Sequence, residues 1–419
     1  MATSSDAFAA LRAEAAALDA ADPLASFRDR FALPDGVTYL DGNSLGALPK
    51  ATAARLAQVA TEEWGQGLIR SWNSADWIGA PARVGAKIAP LIGAQPHEVV
   101  AADSTSVNLY KLIVAALTVQ AGRRVVLSEP GNFPTDLYMI ESAIGTLGQS
   151  HRLELAPRDE IIARITPDTA LVLLTHVHYK TAEVHDMAAI TAAAHAQGAL
   201  VLWDLSHSAG AIPVDLNGSG ADFAVGCGYK FLNGGPGAPA FLFVAERHHG
   251  RVHSPLGGWM GHARPFAFVD QYEAGNGMAR FLCGTPPVLA FAALEVGVDL
   301  HGDTSMAVLA QKSQQLAALF IRAVTSRCAE YGVALVGPPP GAARGSHVSL
   351  AHPHGYEIMQ ALIARGVIGD FRAPDIMRFG LTPLYLRYAD VVHAAAELHD
   401  VLFTSAWQDP AFRVRHAVT

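Results

Sequence analysis

The chain has 419 residues, of which 51% are hydrophobic and 16% are charged, and its formal net charge at pH 7 is −8. A chain of this length and composition buries a large core and is expected to divide into two domains. Nucleic acid is a poor partner, because phosphate contacts need clustered Lys and Arg and the sequence contains no long basic run. Small molecules are the better partners.

The cysteines and the N-terminal segment indicate where in the cell the protein is located. Cys227, Cys283 and Cys328 are odd in number and form no C-x-x-C pair, which indicates neither a disulfide framework nor a zinc site. The first residues lack a basic leader, and no apolar stretch reaches about 18 residues. We therefore expect a cytoplasmic protein that is neither exported nor inserted in a membrane.

Five short segments of the middle region are rich in apolar residues along their whole length, which is typical of strands buried on both faces. In chain order they are "RRVVLSE", "ALVLLTHV", "GALVLWDLS", "ADFAVGCG" and "PAFLFV". Helical segments such as "SVNLYKLIVAALTV" and "DMAAITAAAHAQG" lie between most of them, and the second begins at a good N-cap, Asp186, and ends at Gly198. This alternation predicts an α/β fold with a mostly parallel sheet flanked by helices.

The pattern changes after about residue 290 to a long helical segment followed by short strands and helices. We interpret this part as a smaller α+β C-terminal domain. The predicted division is an N-terminal segment, 1–50, that packs on the small domain, a large domain, 51–290, that contains the parallel sheet, and the small domain, 291–419.

Ligands of open parallel sheets bind at the carboxyl ends of the strands. The polar residues that follow the predicted strands are Asp204 and His207, Tyr229 and Lys230, Thr175, and, at the start of a helix, Asp103, Thr105 and Ser106. A helix N-terminus with free N–H groups and hydroxyls favours a phosphate. A carboxylate, a lysine and a phosphate seat at strand ends together indicate pyridoxal 5′-phosphate (PLP), which needs a lysine, an acid beside its pyridine nitrogen and donors for its phosphate.

Lys230 is the better of two candidates for the lysine that carries PLP. Held against apolar strands, its ammonium loses solvation, which favours the free amine that condenses with an aldehyde. Taken alone, such a lysine is equally consistent with a solvated loop side chain. Lys180 also follows a strand, but only Lys230 has an Asp-x-x-His segment on the strand before it and a glycine-rich "NGGPG" after it.

A set of motifs runs in order along the chain from about residue 39 to about residue 390. They are "YLDGNSLGALP", "DSTSVNLYK", "NFPTD", "LLTHVHYKTAEVHDM", "WDLSHSAGAIPVDL", "DFAVGCGYKFLNGGPGAPAF", "GGWMGH", "CGTPP" and "RFGLTPLYL". The full set resembles the kynureninase family. The resemblance implies a fold-type I PLP enzyme, of the class V aminotransferase type, that cleaves L-kynurenine to anthranilate and L-alanine.

The resemblance also implies roles for individual residues. Lys230 is the Schiff-base lysine, and Asp204 is the partner of the pyridine nitrogen. From the chemistry of the reaction, we expect Lys230 to remove the substrate α-proton and Tyr229 to be the acid, with a hydrogen bond from Tyr229 to the phosphate as an equal alternative. The further cofactor-binding positions are His207, Tyr229, Thr105, Ser106, Phe133, Asp136 and Thr175.

Three more matched positions concern the substrate and the assembly. Arg378 matches the arginine that binds the substrate α-carboxylate, and its neighbours Met377 and Phe379 predict a partly buried strand. Trp259 and Thr285 match residues at the dimer interface, near the phosphate of the neighbouring subunit. The resemblance therefore implies a homodimer with shared active sites.

Ring specificity is expected to depend on Gly284 and Thr285. Members that act on 3-hydroxykynurenine typically carry a Ser-Asn pair there, and an Asn amide can hydrogen-bond the ring hydroxyl. Because burying that hydroxyl without a partner costs roughly 1–3 kcal/mol, we expect a preference for unsubstituted L-kynurenine.

Other functions remain open from the sequence. "GNSLG" is formally a G-x-S-x-G hydrolase motif, but too little chain precedes Ser44 for a nucleophile elbow. A cysteine desulfurase of the same fold needs a reactive thiol on the small domain, where Cys328 is predicted to lie on the apolar face of a helix. A catalytically silent relative stays open too, although it need not retain Lys230, Asp204 and Arg378 together.

Two further sets of residues have ordinary structural explanations. His176 and His178 form an H-x-H pair, but no other metal ligand accompanies them, so a metal site is not expected. For each of Trp64, Trp72 and Trp77, core packing is the favoured interpretation.

Overall fold

The computed structural model describes residues 8–148 and 150–415. Within these ranges no helix combines the length and the apolar character that a membrane span requires.

The strands are short, and most lie in two sheets. Their bounds are β1 Thr38–Tyr39, β2 Val99–Ala101, β3 Val125–Ser128, β4 Arg152–Leu155, β5 Thr169–Thr175, β6 Leu200–Asp204, β7 Phe223–Gly226, β8 Phe241–Val244, β9 Ala334–Val336, β10 His347–Ala351, β11 Val367–Ile368, β12 Asp370–Arg372 and β13 Ile376–Gly380.

The helices vary from one turn to six. The α-helices are α1 Ala9–Ala20, α2 Lys50–Gln58, α3 Ser71–Ser74, α4 Ala80–Ile88, α5 Thr105–Val119, α6 Pro134–Leu147, α7 Ile161–Arg164, α8 Met187–Ala196, α9 Val288–Gly302, α10 Met306–Arg327, α11 Gly355–Ala364 and α12 Tyr388–Phe403. A π-helical segment spans Val59–Gly67. The 3₁₀ helices are Ala25–Arg30, Leu68–Arg70, Ala89–Ile92, Pro96–Glu98, Arg158–Glu160, Glu246–His248, Trp259–Gly261, Gly277–Phe281, Ala329–Tyr331, Ala406–Gln408 and Pro410–Arg413.

The chain forms two compact units. Of the described residues, the larger contains those within 52–179 and 185–303, and the smaller contains those within 8–51, 180–184 and 304–415. These bounds differ from the predicted 51–290 and 291–419, because α9 lies wholly within the larger unit. The assignment of functional domains stays a prediction.

A seven-stranded sheet forms the centre of the larger unit, with the strand order β2-β8-β7-β6-β5-β3-β4. The pairings among β4, β3, β5, β6 and β7 are parallel, and β8 runs antiparallel to both of its neighbours. The five strands predicted from apolar segments are confirmed as β3, β5, β6, β7 and β8. Every residue of these strands is buried, as a sheet covered on both faces requires.

Local sequence rules explain where the covering helices begin and end. The Asp186 carboxylate accepts a hydrogen bond from the Ala189 N–H at 2.9 Å and caps α8, and Gly198 follows the helix with a φ of +75°. On α5, Leu109, Leu112 and Ile113 are fully buried in the core against the sheet. The predicted caps of α8 are thus confirmed.

The smaller unit is α+β, as predicted. Its four-stranded antiparallel sheet has the order β12-β13-β10-β9, and β1 pairs in parallel with β11. Ion pairs also join the N-terminal segment to helices of this unit: Arg28 to Asp390 on α12 at 2.8 Å, and Asp22 to Lys312 on α10 at 2.7 Å.

A buried carboxylate organises the amino-terminal edge of the large sheet. Asp222, just before β7, accepts hydrogen bonds from His195 at 2.9 Å, from Arg247 at 2.7 Å, from His248 at 2.7 Å and from the Val201 N–H at 2.8 Å. Burial alone raises the pKa of Asp222, but the hydrogen bonds from His195 and His248 outweigh it and hold the pKa well below its ordinary value. The carboxylate is therefore ionised and stabilises the folded state.

We predict that Asp222→Asn destabilises the protein at pH 7 by about 1–3 kcal/mol, because buried donors lose a charged acceptor. The pKa of Asp222 is depressed on folding, so its stabilisation is present above the unfolded-state value of about 4 and is lost as the pH falls below it. Urea unfolding at pH 7 and at pH 3.5 should show the gap between variant and parent narrowing at the lower pH. Asp168→Asn, at an exposed ion pair with Arg124 and Arg152, is the control and should have a much smaller effect. If Asp222→Asn and Asp168→Asn lower the free energy of unfolding equally, the ionised Asp222 carboxylate is not the stabilising group.

Candidate active site

The carboxyl ends of three neighbouring parallel strands bring the predicted residues together. Thr175 ends β5 and is the register partner of Asp204, which ends β6 and lies opposite Val225 of β7. Lys230 follows β7 by four residues. The sheet therefore places these polar groups at one edge, as the sequence predicted.

Lys230 lies at the centre of this group. Its residue is only 9% exposed, and its Nζ lies 2.9 Å from Nε2 of His207. The same Nζ lies 5.8 Å from the ring centroid of Phe133 and 5.9 Å from that of Tyr229. The turn that carries His207 is held by the Ser206 N–H, which donates to the Asp204 carboxylate at 2.7 Å.

Two buried carboxylates accompany the lysine. Burial raises the pKa of Asp136 well above its ordinary value, and the nearby negative charge of Asp204 raises it further. Burial also raises the pKa of Asp204, while Ser206 and the Lys230 charge act in the opposite direction. Because two adjacent buried carboxylates do not both ionise readily, Asp136 is the neutral member of the pair. Its Oδ1 is buried and has no hydrogen-bond partner among the described residues.

The N-terminus of α5 offers donors for an anion. The Ser104 hydroxyl caps the helix by accepting a hydrogen bond from the Val107 N–H at 3.3 Å. Thr105 and Ser106 are half-buried, and within residues 8–148 and 150–415 their hydroxyls have no hydrogen-bond partner. The hydroxyls of Thr105 and Ser106 and the first N–H groups of α5 are therefore candidate hydrogen-bond donors to a dianion such as phosphate.

A buried lysine that the sequence analysis missed supports this turn. Lys111 of α5 is fully buried, pairs with the Asp103 carboxylate and donates to the Phe281 carbonyl at 2.6 Å. Asp103 has a φ of +48°, in the left-handed region, so the ion pair holds an unfavourable backbone conformation. The lysine of "DSTSVNLYK" was the available signal, but its partners could not be deduced from spacing.

Phe133 presents an aromatic face to the site. It precedes α6, is 38% exposed, and contacts Tyr179 edge to face with ring centroids 5.2 Å apart. Asn132, also missed, fixes the segment because its Oδ1 accepts hydrogen bonds from the Phe133 N–H at 2.8 Å and from the Thr175 hydroxyl. The Thr175 hydroxyl also lies 3.4 Å from Oδ2 of Asp136. Thr175, at the end of β5, is therefore connected both to Asn132 and to helix α6, which carries Asp136.

Trp259 and Thr285 belong to two other segments of the larger unit. These segments contain none of the residues grouped around Lys230. The Met260 N–H donates to the Cys283 carbonyl at 3.2 Å, which brings the Trp259 segment against the Gly284–Thr285 loop. Trp72 packs edge to face on Trp259 at 6.0 Å. These rings belong to an apolar cavity of about 620 Å³, which is lined by Ile69, Trp72, Asn73, Ile78, Trp259, Phe266 and Phe268.

The interpretation of the tryptophans as core residues was wrong for Trp64, which is 60% exposed. Trp72 and Trp77 are half-buried and contact each other edge to face. The π-helical segment Val59–Gly67 carries Trp64 on the surface, an outcome that apolar character alone does not predict.

Arg378 lies in the smaller unit, on β13, and is 1% exposed. Its predicted burial is confirmed, but it already has a carboxylate partner that sequence reasoning missed. Nε of Arg378 donates to Oδ1 of Asp370 at 2.7 Å, and Nη2 donates to Oδ2 of Asp370 and to the Ser44 hydroxyl at 3.1 Å. The Ser44 hydroxyl donates to Oδ2 of Asp370 at 2.6 Å, so "GNSLG" forms part of an arginine site rather than a nucleophile elbow.

The rival residues lie in ordinary surroundings. Lys180 belongs to the smaller unit, and its Nζ donates to the Ala373 carbonyl at 3.3 Å. His176 lies 2.9 Å from the Ser208 hydroxyl, and His178 lies 2.9 Å from the Gly131 carbonyl oxygen. No cluster of three or more potential metal ligands occurs in the described part of the chain.

Comparison with known proteins decides the family. Residues 309–398 match the profile of the kynureninase C-terminal domain. The chain is 52% identical to a kynureninase from Burkholderia mallei over 414 residues, which cover 97% of this chain and 99% of the relative. It is 53% identical to a kynureninase from Pseudomonas fluorescens over 413 residues, with the same coverage. The chain belongs to the kynureninase family.

The fold is shared more widely than the family. The apo cysteine desulfurase from Thermococcus onnurineus NA1 superposes with a TM-score of 0.78 at 18% identity, covering 90% of this chain and 98% of that one. This likeness shows the fold alone. Cys328 follows α10 and is fully buried, and burial raises the pKa of its thiol to about 12, so the smaller unit presents no reactive thiol there.

The kynureninase cofactor, PLP, fits the residues at the carboxyl edge of the sheet. Phosphate donors are present on Thr105 and Ser106, an aromatic face on Phe133, and a buried amine on Lys230. The buried Oδ1 of Asp136 is without a partner in the described residues, which is expected where a polar ligand completes the site.

Proposed function

We propose that this protein hydrolyses L-kynurenine, a tryptophan catabolite, to anthranilate and L-alanine with PLP as cofactor. The observation that carries the proposal is the group of Lys230, His207, Asp204 and Asp136 at the sheet edge, in a chain 52% identical to a curated kynureninase over nearly its whole length. The three cysteines form no disulfide, which supports a reducing cytoplasm as the location.

PLP, when bound, stabilises negative charge that develops on the amino-acid substrate. The residues that would hold it are Lys230, Asp204, His207, Tyr229, Thr105, Ser106, Phe133, Asp136 and Thr175. Asp204 would help to keep a proton on the pyridine nitrogen, and Asp136, whose pKa burial raises well above its ordinary value, would accompany it without adding a second charge. The half-exposed ring of Phe133 would supply an aromatic face for the pyridine ring.

Protons are moved by two neighbouring side chains. Once its amine is free, Nζ of Lys230 removes the proton from the substrate α-carbon, and His207, at 2.9 Å, keeps Nζ in place. Water adds to the γ-carbonyl carbon, the bond between the β- and γ-carbons breaks, and the β-carbon takes a proton to become the alanine methyl group. Burial raises the pKa of Tyr229, so its hydroxyl remains protonated at neutral pH and is the proposed donor.

Product analysis tests the proposed reaction. Purified protein incubated with PLP and L-kynurenine should release anthranilate and L-alanine in equal amounts, measured by anthranilate fluorescence and amino-acid chromatography. Lys230→Ala is the control and should release neither. Formation of sulfide from L-cysteine, without anthranilate from L-kynurenine, would instead assign the protein to the desulfurases.

Arg378 is the proposed ligand of the substrate α-carboxylate. Arg378→Lys should raise KM for L-kynurenine about tenfold or more, because a point charge cannot replace a planar fork and a bond to a charged group is worth about 1.5–3 kcal/mol. Affinity for PLP, followed by absorbance titration, should stay within about twofold. An unchanged KM would place the carboxylate elsewhere.

The active unit is proposed to be a homodimer in which Trp259 and Thr285 of one subunit approach the cofactor phosphate of the other. Exposed apolar side chains on the larger unit support this assembly, including Trp64, Ile69 and Phe268, which are 60%, 77% and 78% exposed.

Sedimentation tests the assembly at assay concentration. The parent should sediment as an active dimer, and Phe268→Asp should shift it toward monomer with loss of activity. Phe403→Asp, at a residue that is 62% exposed on the smaller unit, is the matched control and should change neither. A fully active monomer would exclude shared sites.

The preferred ring is proposed to be unsubstituted. A side chain at Gly284 would meet no atom within 4 Å. The cavity beside Trp259 is lined by apolar residues apart from Asn73, so few groups there can hydrogen-bond a ring hydroxyl. We expect kcat/KM for L-kynurenine to exceed that for 3-hydroxykynurenine about tenfold or more. Gly284→Ser combined with Thr285→Asn should move the ratio toward the hydroxylated substrate. A higher kcat/KM of the parent for 3-hydroxykynurenine would contradict this preference.

A further inference from the structure

The smaller unit holds Arg378 in a buried ion pair that fixes its orientation. Asp370 on β12 and Arg378 on β13 are cross-strand partners in the antiparallel sheet. The carboxylate binds Nε and Nη2 in the side-by-side arrangement that suits a guanidinium, and the side chains of Arg378 and Asp370 are 2% and 3% exposed. The Ser44 hydroxyl closes the arrangement by bonding both groups.

The charges in this site still favour an anion. Burial raises the pKa of Asp370, but the hydrogen bonds and charge of Arg378 outweigh it and hold the pKa below its ordinary value, so Asp370 is ionised. Arg372 lies 2.8 Å from Oδ2 of Asp370 and adds a second positive charge. Two guanidinium groups thus face one ionised carboxylate.

Asp41 completes the same site with a weak acid. Burial and the charge of Asp370 raise the pKa of Asp41 to about 7, so near neutral pH this carboxyl group carries only part of a negative charge. Its Oδ1 is buried without a hydrogen-bond partner among the described residues. The local charge therefore stays positive, and a substrate carboxylate is not repelled.

We propose that Asp370, assisted by Ser44, is a positioning residue for substrate recognition: it fixes the plane and direction in which the Arg378 guanidinium receives the α-carboxylate of the amino-acid substrate. The direction from which a carboxylate can approach depends on this plane, because the N–H donors of arginine have a fixed geometry. The inference rests on the proposed function, in which Arg378 is the carboxylate ligand.

Asp370→Asn in the PLP-loaded enzyme tests the inference. The amide keeps the shape of the side chain but loses the charge and one acceptor, so KM for L-kynurenine should rise about tenfold, equivalent to about 1.4 kcal/mol, with kcat within about threefold. The inhibition constant of the product L-alanine should rise by a similar factor. Asp375→Asn, in the same hairpin, is the matched control and should change neither.

An inhibitor without the carboxyl group separates positioning from general damage. Kynuramine, which is L-kynurenine without its α-carboxyl group, should inhibit the parent and Asp370→Asn with the same constant. A weaker inhibition of Asp370→Asn by kynuramine, in proportion to the rise in KM, would show that the site is only distorted and would overturn the inference. If Asp370→Asn does not fold, the same two measurements on Ser44→Ala test the inference. KM for L-kynurenine should rise about threefold, and the inhibition constant of kynuramine should stay unchanged.

Arg378→Lys distinguishes failure of the inference from failure of the proposed function. If Arg378→Lys raises KM and both Asp370→Asn and Ser44→Ala leave it unchanged, Asp370 has no positioning role and the function stands. If none of the three changes KM, the assignment of Arg378 itself is wrong.

Discussion

The burial of Lys230 near the buried carboxyl groups of Asp136 and Asp204, at the carboxyl edge of a parallel sheet, is the constraint on which the site depends. An ammonium or a carboxylate taken out of water is costly unless a partner compensates it, so the buried charge of Asp204 is compensated by the nearby Lys230. The sheet supplies the geometry because β5, β6 and β7 are buried along their length and end beside one another. The chemistry follows from the same burial, which keeps Asp136 neutral and the Tyr229 hydroxyl protonated.

The smaller unit also compensates a buried charge with a partner of opposite charge. There a buried guanidinium, Arg378, is compensated by Asp370 on the neighbouring strand, and Arg372 leaves the site with positive charge. A lone buried arginine would be unstable, and a fully neutralised one would bind a carboxylate weakly. Asp370, which orients Arg378, and the nearby Arg372 together satisfy both requirements. The "GNSLG" segment contributes Ser44, which hydrogen-bonds Asp370 and Arg378 and is not a hydrolase nucleophile.

The sequence predicted those features that local patterns determine. Continuous apolar segments located the buried strands, and Asp186 and Gly198 located the ends of a helix. The Asp-x-x-His segment before Lys230 and the glycine-rich segment after it favour Lys230 over Lys180 as the lysine that carries PLP, and this choice stays a prediction. The sequence did not predict Asp370 beside Arg378, Asn132 beside Thr175 or Lys111 beneath Asp103, because hydrogen-bond partners depend on strand order and side-chain direction. The edge strand β4 was missed because "RLEL" is only partly buried and lacks an apolar run. Trp64 was wrongly placed in the core because composition does not reveal which apolar side chains remain exposed.

Identification of the residue that carries PLP tests the account most directly. The purified protein should be yellow, and reduction with borohydride followed by proteolysis and mass spectrometry should find the cofactor on a single peptide, joined to Lys230. The same treatment of Lys230→Ala should leave no labelled peptide. Labelling of Lys180, or of any other lysine in the parent protein, would contradict the account.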